Sequence, residues 1–287
     1  MRRLASGRGT AVVAAVLVVG ASAATEGSAL AAHVDVLLAA EGDKIVTGTF
    51  AWGTSDISLP EAAFSRGFEY VQDNAAVATN PGFNAVPVPP APYESLPSDT
   101  PVAFSMVPVP GLESDLAYWD GHGEVSFVSP TGHASLSILH ALSGEPVHVM
   151  GANAETPGFA IGTTAAGGLL HEHHQIVLVG PDSGQLPSEG VYVFAMRFHA
   201  GTLESSPPAV FAMQFGLAPD GGTDLNDELA THAAMSIQQS IEDDLAVDPS
   251  ADDGCNVAGG GFGPSPLALP VVVLVWLSRR RGRRARP

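Results

Sequence analysis

Nine short runs of apolar and β-branched residues, at 34–38, 45–52, 101–109, 124–128, 134–142, 158–163, 175–179, 191–198 and 209–217, occupy most of the middle of this chain, with Gly, Pro, Asn and Asp between them. Runs of that length bounded by turn residues read as strands. Val125 and Phe127 alternate with Glu124 and Ser126, which is the period of a half-buried strand. No helical periodicity intervenes to supply parallel crossovers, so the expected fold class is all-β, a single antiparallel β-sandwich of Ig-like or jelly-roll-like kind. The stretch 80–101 carries Pro81, Pro87, Pro89, Pro90, Pro92, Pro97 and Pro101 and reads as a long extended surface loop. One helix is expected at 224–245, where Leu225, Leu229, Ala233, Ile237, Ile241 and Leu245 recur every four residues behind Asp224 and Asp227 as an N-cap pair. Its narrow apolar stripe is expected to cap the open end of the sandwich, the alternative being a spacer that leads towards an anchor.

The two ends do not belong to that fold. Arg2, Arg3 and Arg8 precede an apolar stretch at 11–19 and two Ala-x-Ala sites, Ala21-Ser22-Ala23 and Ala29-Leu30-Ala31, the three-part plan of a secretory signal peptide. Cleavage at Ala31 by signal peptidase assigns residues 1–31 to that peptide and 32–246 to a β-sandwich ectodomain with its helix. Residues 247–263 form a polar linker containing Cys255, and 264–287 form a hydrophobic segment with an Arg-rich tail. The apolar run 267–277 is shorter than the roughly twenty residues that a bilayer-spanning helix needs. The six arginines behind it stay in the cytoplasm by the positive-inside rule. A short anchor with that flank suits a segment held in the membrane briefly and then cut.

Setting the ends aside changes the electrostatics. Residues 33–254 hold 29 acidic residues against Lys44, Arg66 and Arg197, a formal charge of −26. Such a surface has no basic patch with which to release counterions from a phosphate backbone, which excludes nucleic acid as a partner. The acidity reads first as a device for solubility. Cys255, the one cysteine, lies in the linker, so no intrachain disulfide is available and the ectodomain must hold together by burial.

Chemistry, where the sequence offers any, is concentrated in His171-Glu172-His173-His174. Residues two apart on a strand share a face, so His171 and His173 point one way, Glu172 and His174 the other. Such a pair can give two imidazoles to one Zn or Cu ion, which takes three or four ligands in all; the candidates for a third are His33, Asp35, His148 and His199. A zincin motif would need histidine at position 175, where Gln175 stands. The competing reading is that these imidazoles only hydrogen-bond to carboxylates or backbone at a sandwich edge. The acidic surroundings are expected to favour imidazolium and move proton competition with a metal to higher pH. There is no Gly-x-Ser-x-Gly elbow, no phosphate-cradling glycine loop before a helix, and no cysteine in the ectodomain for a Cys/His nucleophile. A binding or structural role is therefore expected ahead of an enzymatic one, with a metal-dependent enzyme or metal-handling protein as the rival.

Two resemblances bear on this. Asp253-Gly254-Cys255-Asn256-Val257, followed by Pro264-Ser265-Pro266 and the apolar run, resembles the tripartite sorting signals called CTERM domains, above all the cysteine-bearing MYXO-CTERM and JDVT-CTERM types. That likeness implies processing near Cys255 by an intramembrane sorting protease and attachment through the thiol. His33-Val34-Asp35-Val36, His171-Glu172-His173 with an apolar strand after it, and Pro187 followed by Gly190-Val191-Tyr192 are similar to bacterial surface proteins of the choice-of-anchor M type. They also resemble the actinobacterial surface-anchored domain, whose hallmark is His-x-His, an aromatic strand, then Pro-Gly-x-Tyr. Ile176 and Val177 stand where that domain has its aromatic, and Ser188-Glu189 separate Pro187 from Gly190. Over 33–241 the likeness implies an extracellular β-rich module displayed at the bacterial cell surface by interchangeable anchors.

Overall fold

The computed structural model describes residues 33–216 and 228–246. The signal stretch with Ala31, the linker with Cys255 and the hydrophobic segment with its arginines lie outside the described residues. In chain order the strands are β1 (Val34–Glu41), β2 (Lys44–Ala51), β3 (Asp56–Ser58), β4 (Ala63–Gly67), β5 (Tyr70–Gln72), β6 (Ala75–Ala78), β7 (Phe83–Ala85) and β8 (Pro101–Val107). They continue with β9 (Leu116–Trp119), β10 (Ser135–Leu139), β11 (Pro146–Val149), β12 (Thr156–Thr163), β13 (Leu170–Glu172), β14 (Gln175–Val179), β15 (Gly190–Ala200) and β16 (Ala209–Phe215). The helix α1 (Glu228–Ala246) follows. The described protein is thus mostly β with one helix, as its punctuated apolar runs predict. Among the described residues no helix is long and apolar enough to cross a membrane.

The strands form three sheets, in the orders β13-β7-β1-β2-β3, β11-β10-β14-β6-β5 and β12-β8-β15-β16-β4, with β9 also pairing β15. Pairing is not purely antiparallel as expected: β7 lies parallel to β1, and β4 parallel to β16. A parallel neighbour needs a long connection where an antiparallel one needs only a turn. Here the intervening strands themselves serve as the crossover, so no helix is required.

One continuous core joins all three sheets, with Val36 and Leu38 from the first, Leu136, Ile138 and Leu178 from the second, and Phe104, Phe194, Phe198 and Phe211 from the third. Burying each such side chain contributes about 1.5–3 kcal/mol, which has to suffice without an intrachain disulfide. Strand β15 is buried on both faces. Tyr192, Phe194, Met196 and Phe198 enter this core, while Val191, Val193 and Ala195 face Ala230, Ala233, Ala234 and Ile237 of α1. The helix therefore covers the outer face of the third sheet and does not cap an open end. Its apolar stripe finds a flat row of small residues there, Val210 and Ala212 among them. The first-turn amides of Leu229 and Ala230, which have no partner within a helix, donate to Gln214 Oε1 of β16 at 3.1 and 3.3 Å.

Two further sequence expectations need correction. Residues 124–128 form no strand; Val128 makes only an isolated bridge to Tyr118, and Val125 and Phe127 pack at the margin of the helix-facing core. The proline-rich stretch 80–101 is no plain surface loop, since it contains β7 and the fully buried Leu96. Its prolines flank β7 on both sides, so the short strand keeps its amides free to pair.

Candidate metal centre

The first sheet brings distant parts of the sequence into one row. β1 pairs β2 so that Asp35 faces Phe50, and beyond the last pair the Trp52 amide donates to the His33 carbonyl at 2.9 Å. On the other edge of β1 lies β7, whose Asn84 is opposite Leu37, and β13 then places His171 opposite Asn84. The side chains along this row are hydrogen-bonded in series. Trp52 Nε1 donates to Asp35 Oδ2 at 2.7 Å, and Asn84 Nδ2 donates to the same oxygen at 2.7 Å. The amide orientation of Asn84 leaves its Oδ1 to accept from His171 Nδ1 at 2.8 Å. The backbone amide of Gly82 donates to Asp35 Oδ1 at 2.8 Å.

Beyond β13 the chain leaves the first sheet for the second, and His173 and His174 form that corner. His173 Nδ1 donates to the Thr79 carbonyl at 2.9 Å, while the Thr79 hydroxyl is held by Glu69 Oε2 at 2.8 Å. The His173 ring lies directly over Gly82, where an added Cβ would stand 2.5 Å from ring carbon Cε1. Glycine is needed here for close approach. His174 turns the opposite way, as strand alternation predicts, and is buried against Phe83, Phe159 and His140 with its Nδ1 accepting from the Ala141 amide.

Three histidines thus surround one buried carboxylate. Asp35 Oδ2 is 3.4 Å from His33 Nε2, 3.9 Å from His173 Nε2 and 4.0 Å from His171 Nδ1. The Asp35 side chain is fully buried, whereas those of His33, His171 and His173 are 36%, 41% and 30% exposed, so the anion forms a floor and the imidazoles an open rim. Ligand atoms of His33, Asp35 and His173 all lie within 4.8 Å of one another. Ligands on a tetrahedral ion with bonds of about 2.0–2.1 Å stand roughly 3.4 Å apart, so the spacing fits a small divalent cation after a slight closing-up. His171 flanks this set, with its ring centroid 4.8 Å from that of His173 and 4.7 Å from that of Trp52. The Nε2 atom of His33 is buried and has no hydrogen-bond partner.

The electrostatics at His171 run against the expectation from overall charge. Its pKa is lowered from the ordinary histidine value, first by burial and then by the neighbouring His173, which together outweigh the attraction of Asp35. The neutral form, which is the ligand form, is favoured.

No family model, curated protein or solved structure significantly matches this chain.

Of the four candidates for a third ligand, the structure brings His33 and Asp35 to the His171/His173 pair. His148 lies on β11, paired through Nδ1 with Ser137 Oγ at 2.8 Å, and His199 lies on β15 between Ser105 and Ser205, near Glu155. Both are engaged in other sheets. Trp52, Thr79, Gly82 and Asn84 escape sequence reading. The only trace in the sequence is Asn84 as a lone polar residue between Phe83 and Ala85.

Proposed function

We propose that this chain is a secreted bacterial surface protein whose β-sandwich, of Ig-like or jelly-roll-like build, binds one Zn²⁺ or Cu²⁺ ion at His33, His171 and His173 above Asp35. One observation carries the reading. The Nδ1–H groups of His171 and His173 are each committed to a carbonyl oxygen, which leaves Nε2 as a lone pair, and the Nε2 of His33 has no partner. Metal-binding histidines characteristically donate their other ring N–H to such an acceptor. An imidazole rim with those tautomers is prepared for a cation, and Nε2 of His33 lies buried without a hydrogen bond 3.4 Å from the Asp35 carboxylate, where a cation would meet both. No step of bond-making chemistry is assigned; the role is binding.

Calorimetric titration with Zn²⁺ and Cu²⁺ tests this. One ion per chain is expected. His33→Ala and His173→Ala should each weaken binding on the order of 100-fold, since each removes a ligand outright. Gly82→Ala should weaken it about tenfold or more by pushing the His173 ring off its seat. Equal uptake by wild type and a His33→Ala/His173→Ala double variant would leave the cluster as a hydrogen-bonded edge of the sandwich.

The surface assignment is supported by the terminal charge patterns, by the −26 charge of residues 33–254 and by the resemblance of 253–277 to CTERM signals. In this account signal peptidase cuts at Ala31 and a sorting protease of the membrane cuts near Cys255. Intact mass of protein recovered from cells should lack both residues 1–31 and the Arg-rich tail; a mature species that retains Arg286 would contradict it.

A further inference from the structure

Given the metal-binding reading above, we infer that Asp35 is the buried counter-charge of the site and not one of its ligands. The ion is then held by imidazole nitrogen, and the site selects Cu²⁺ or Zn²⁺ over Mn²⁺, Mg²⁺ and Ca²⁺. The lone pairs of the carboxylate decide between the two roles. A carboxylate oxygen offers about two acceptor positions. Oδ2 is the oxygen that faces all three histidines, and both its positions are filled, by Trp52 Nε1 and Asn84 Nδ2 at 2.7 Å each. Oδ1 accepts from the Gly82 amide and keeps one position, but the oxygen nearest each of the three histidines is Oδ2, not Oδ1.

Neither donor on Oδ2 is free to leave. The Trp52 indole is a donor only, with its ring packed edge-on against Phe50 and His171, and Asn84 is held in orientation by its second bond to His171. Coordination through Oδ2 would strand one of them in the buried floor. Oδ2 nevertheless lies 3.4 Å from Nε2 of His33 and 3.9 Å from Nε2 of His173, with the Nδ1 edge of His171 at 4.0 Å, close enough to stabilise a cation held at the Nε2 atoms without bonding to it.

A nitrogen donor set decides the metal. Imidazole suits Zn²⁺ and Cu²⁺, while carboxylate, carbonyl and water oxygens suit Mn²⁺, Mg²⁺ and Ca²⁺, and Cu²⁺ stands highest in the affinity series. An acidic surface of this size would concentrate any divalent cation nearby. The rim, not the surface charge, is what discriminates.

Pulsed electron paramagnetic resonance on the Cu²⁺-loaded protein, with calorimetric competition by Mn²⁺, tests the division of roles. Wild type is expected to show three imidazole nitrogens bound to copper, and Mn²⁺ is expected to bind at least about 100-fold more weakly than Zn²⁺. Asp35→Asn keeps one Cu²⁺ per chain and the same nitrogen count while losing about 10–100-fold in affinity, the usual effect of an outer-shell change. Two imidazoles with an oxygen ligand in wild type, or Mn²⁺ bound within tenfold of Zn²⁺, would overturn the inference and leave metal binding itself standing. Wild type that takes up neither Zn²⁺ nor Cu²⁺ would instead refute metal binding and this inference with it. The wild-type spectrum decides the ligand count by itself should Asp35→Asn fail to fold.

Discussion

Phe194→Ala is expected to lower the unfolding free energy by about 3–5 kcal/mol, the range for truncating a fully buried aromatic ring. Phe194 is 0% exposed and sits in β15, the strand that pairs with β8, β9 and β16. Its ring stacks on Phe211 with centroids 5.1 Å apart and planes 7° from parallel, and Phe211 stacks in turn on Phe64 at 5.3 Å. Removing the ring leaves a cavity in the middle of an aromatic stack, between sheet backbones that cannot collapse into it. Native domains hold about 5–15 kcal/mol in total, so the loss takes a large share of what this disulfide-free fold has. Urea unfolding measures it as a lowered midpoint at unchanged slope. A loss below about 1 kcal/mol would mean that the stack is not part of the cooperative core.

The second large effect is on acid stability. His174 is 3% exposed, and burial first, then the neighbouring His140, push its pKa down from 6.5 to about 4. The sign follows from comparing states. Between pH 6.5 and 4 the unfolded chain binds a proton at this residue and the folded chain does not, so stability falls as pH falls. The loss approaches about 3 kcal/mol near pH 4, with nothing lost above the unfolded value. His171, lowered in the same direction, adds to the trend. His174→Gln keeps an acceptor for the Ala141 amide and cannot be protonated in this range. In metal-free buffer its stability should drop less than that of wild type between pH 7 and pH 4, by about 3 kcal/mol. Identical pH dependence in the two proteins would show that His174 is not held neutral.

How far the sequence reveals this molecule depends on the range over which each signal acts. The long strands β1, β2, β8, β10, β12, β14, β15 and β16 are legible because each carries enough alternating apolar residues to register by itself. The three-residue strands β3, β5, β7 and β13 are not, since their pairing is decided by neighbours far along the chain. β7 is also hidden by the prolines around it. The helix is legible from its four-residue recurrence, but not its seat on the outer face of the third sheet: the unbroken apolar run of β15 at 191–196 shows that both its faces are covered, not what covers them.

The same division holds at the site. His171 and His173 can be seen as a pair from their spacing alone. Choosing His33 and Asp35 over His148 and His199 requires knowing that β13, β7 and β1 lie side by side, a relation spanning more than a hundred residues of chain. Trp52 and Asn84 matter only as hydrogen-bond donors to Asp35, and that role exists only once the sheet has formed.

The most direct test of the account is a crystal structure of the protein grown with Zn²⁺, with diffraction data collected on both sides of the zinc absorption edge. An anomalous peak is predicted about 2.0–2.1 Å from Nε2 of both His33 and His173. The absence of a peak there, or a peak at His148 or His199 instead, would contradict it.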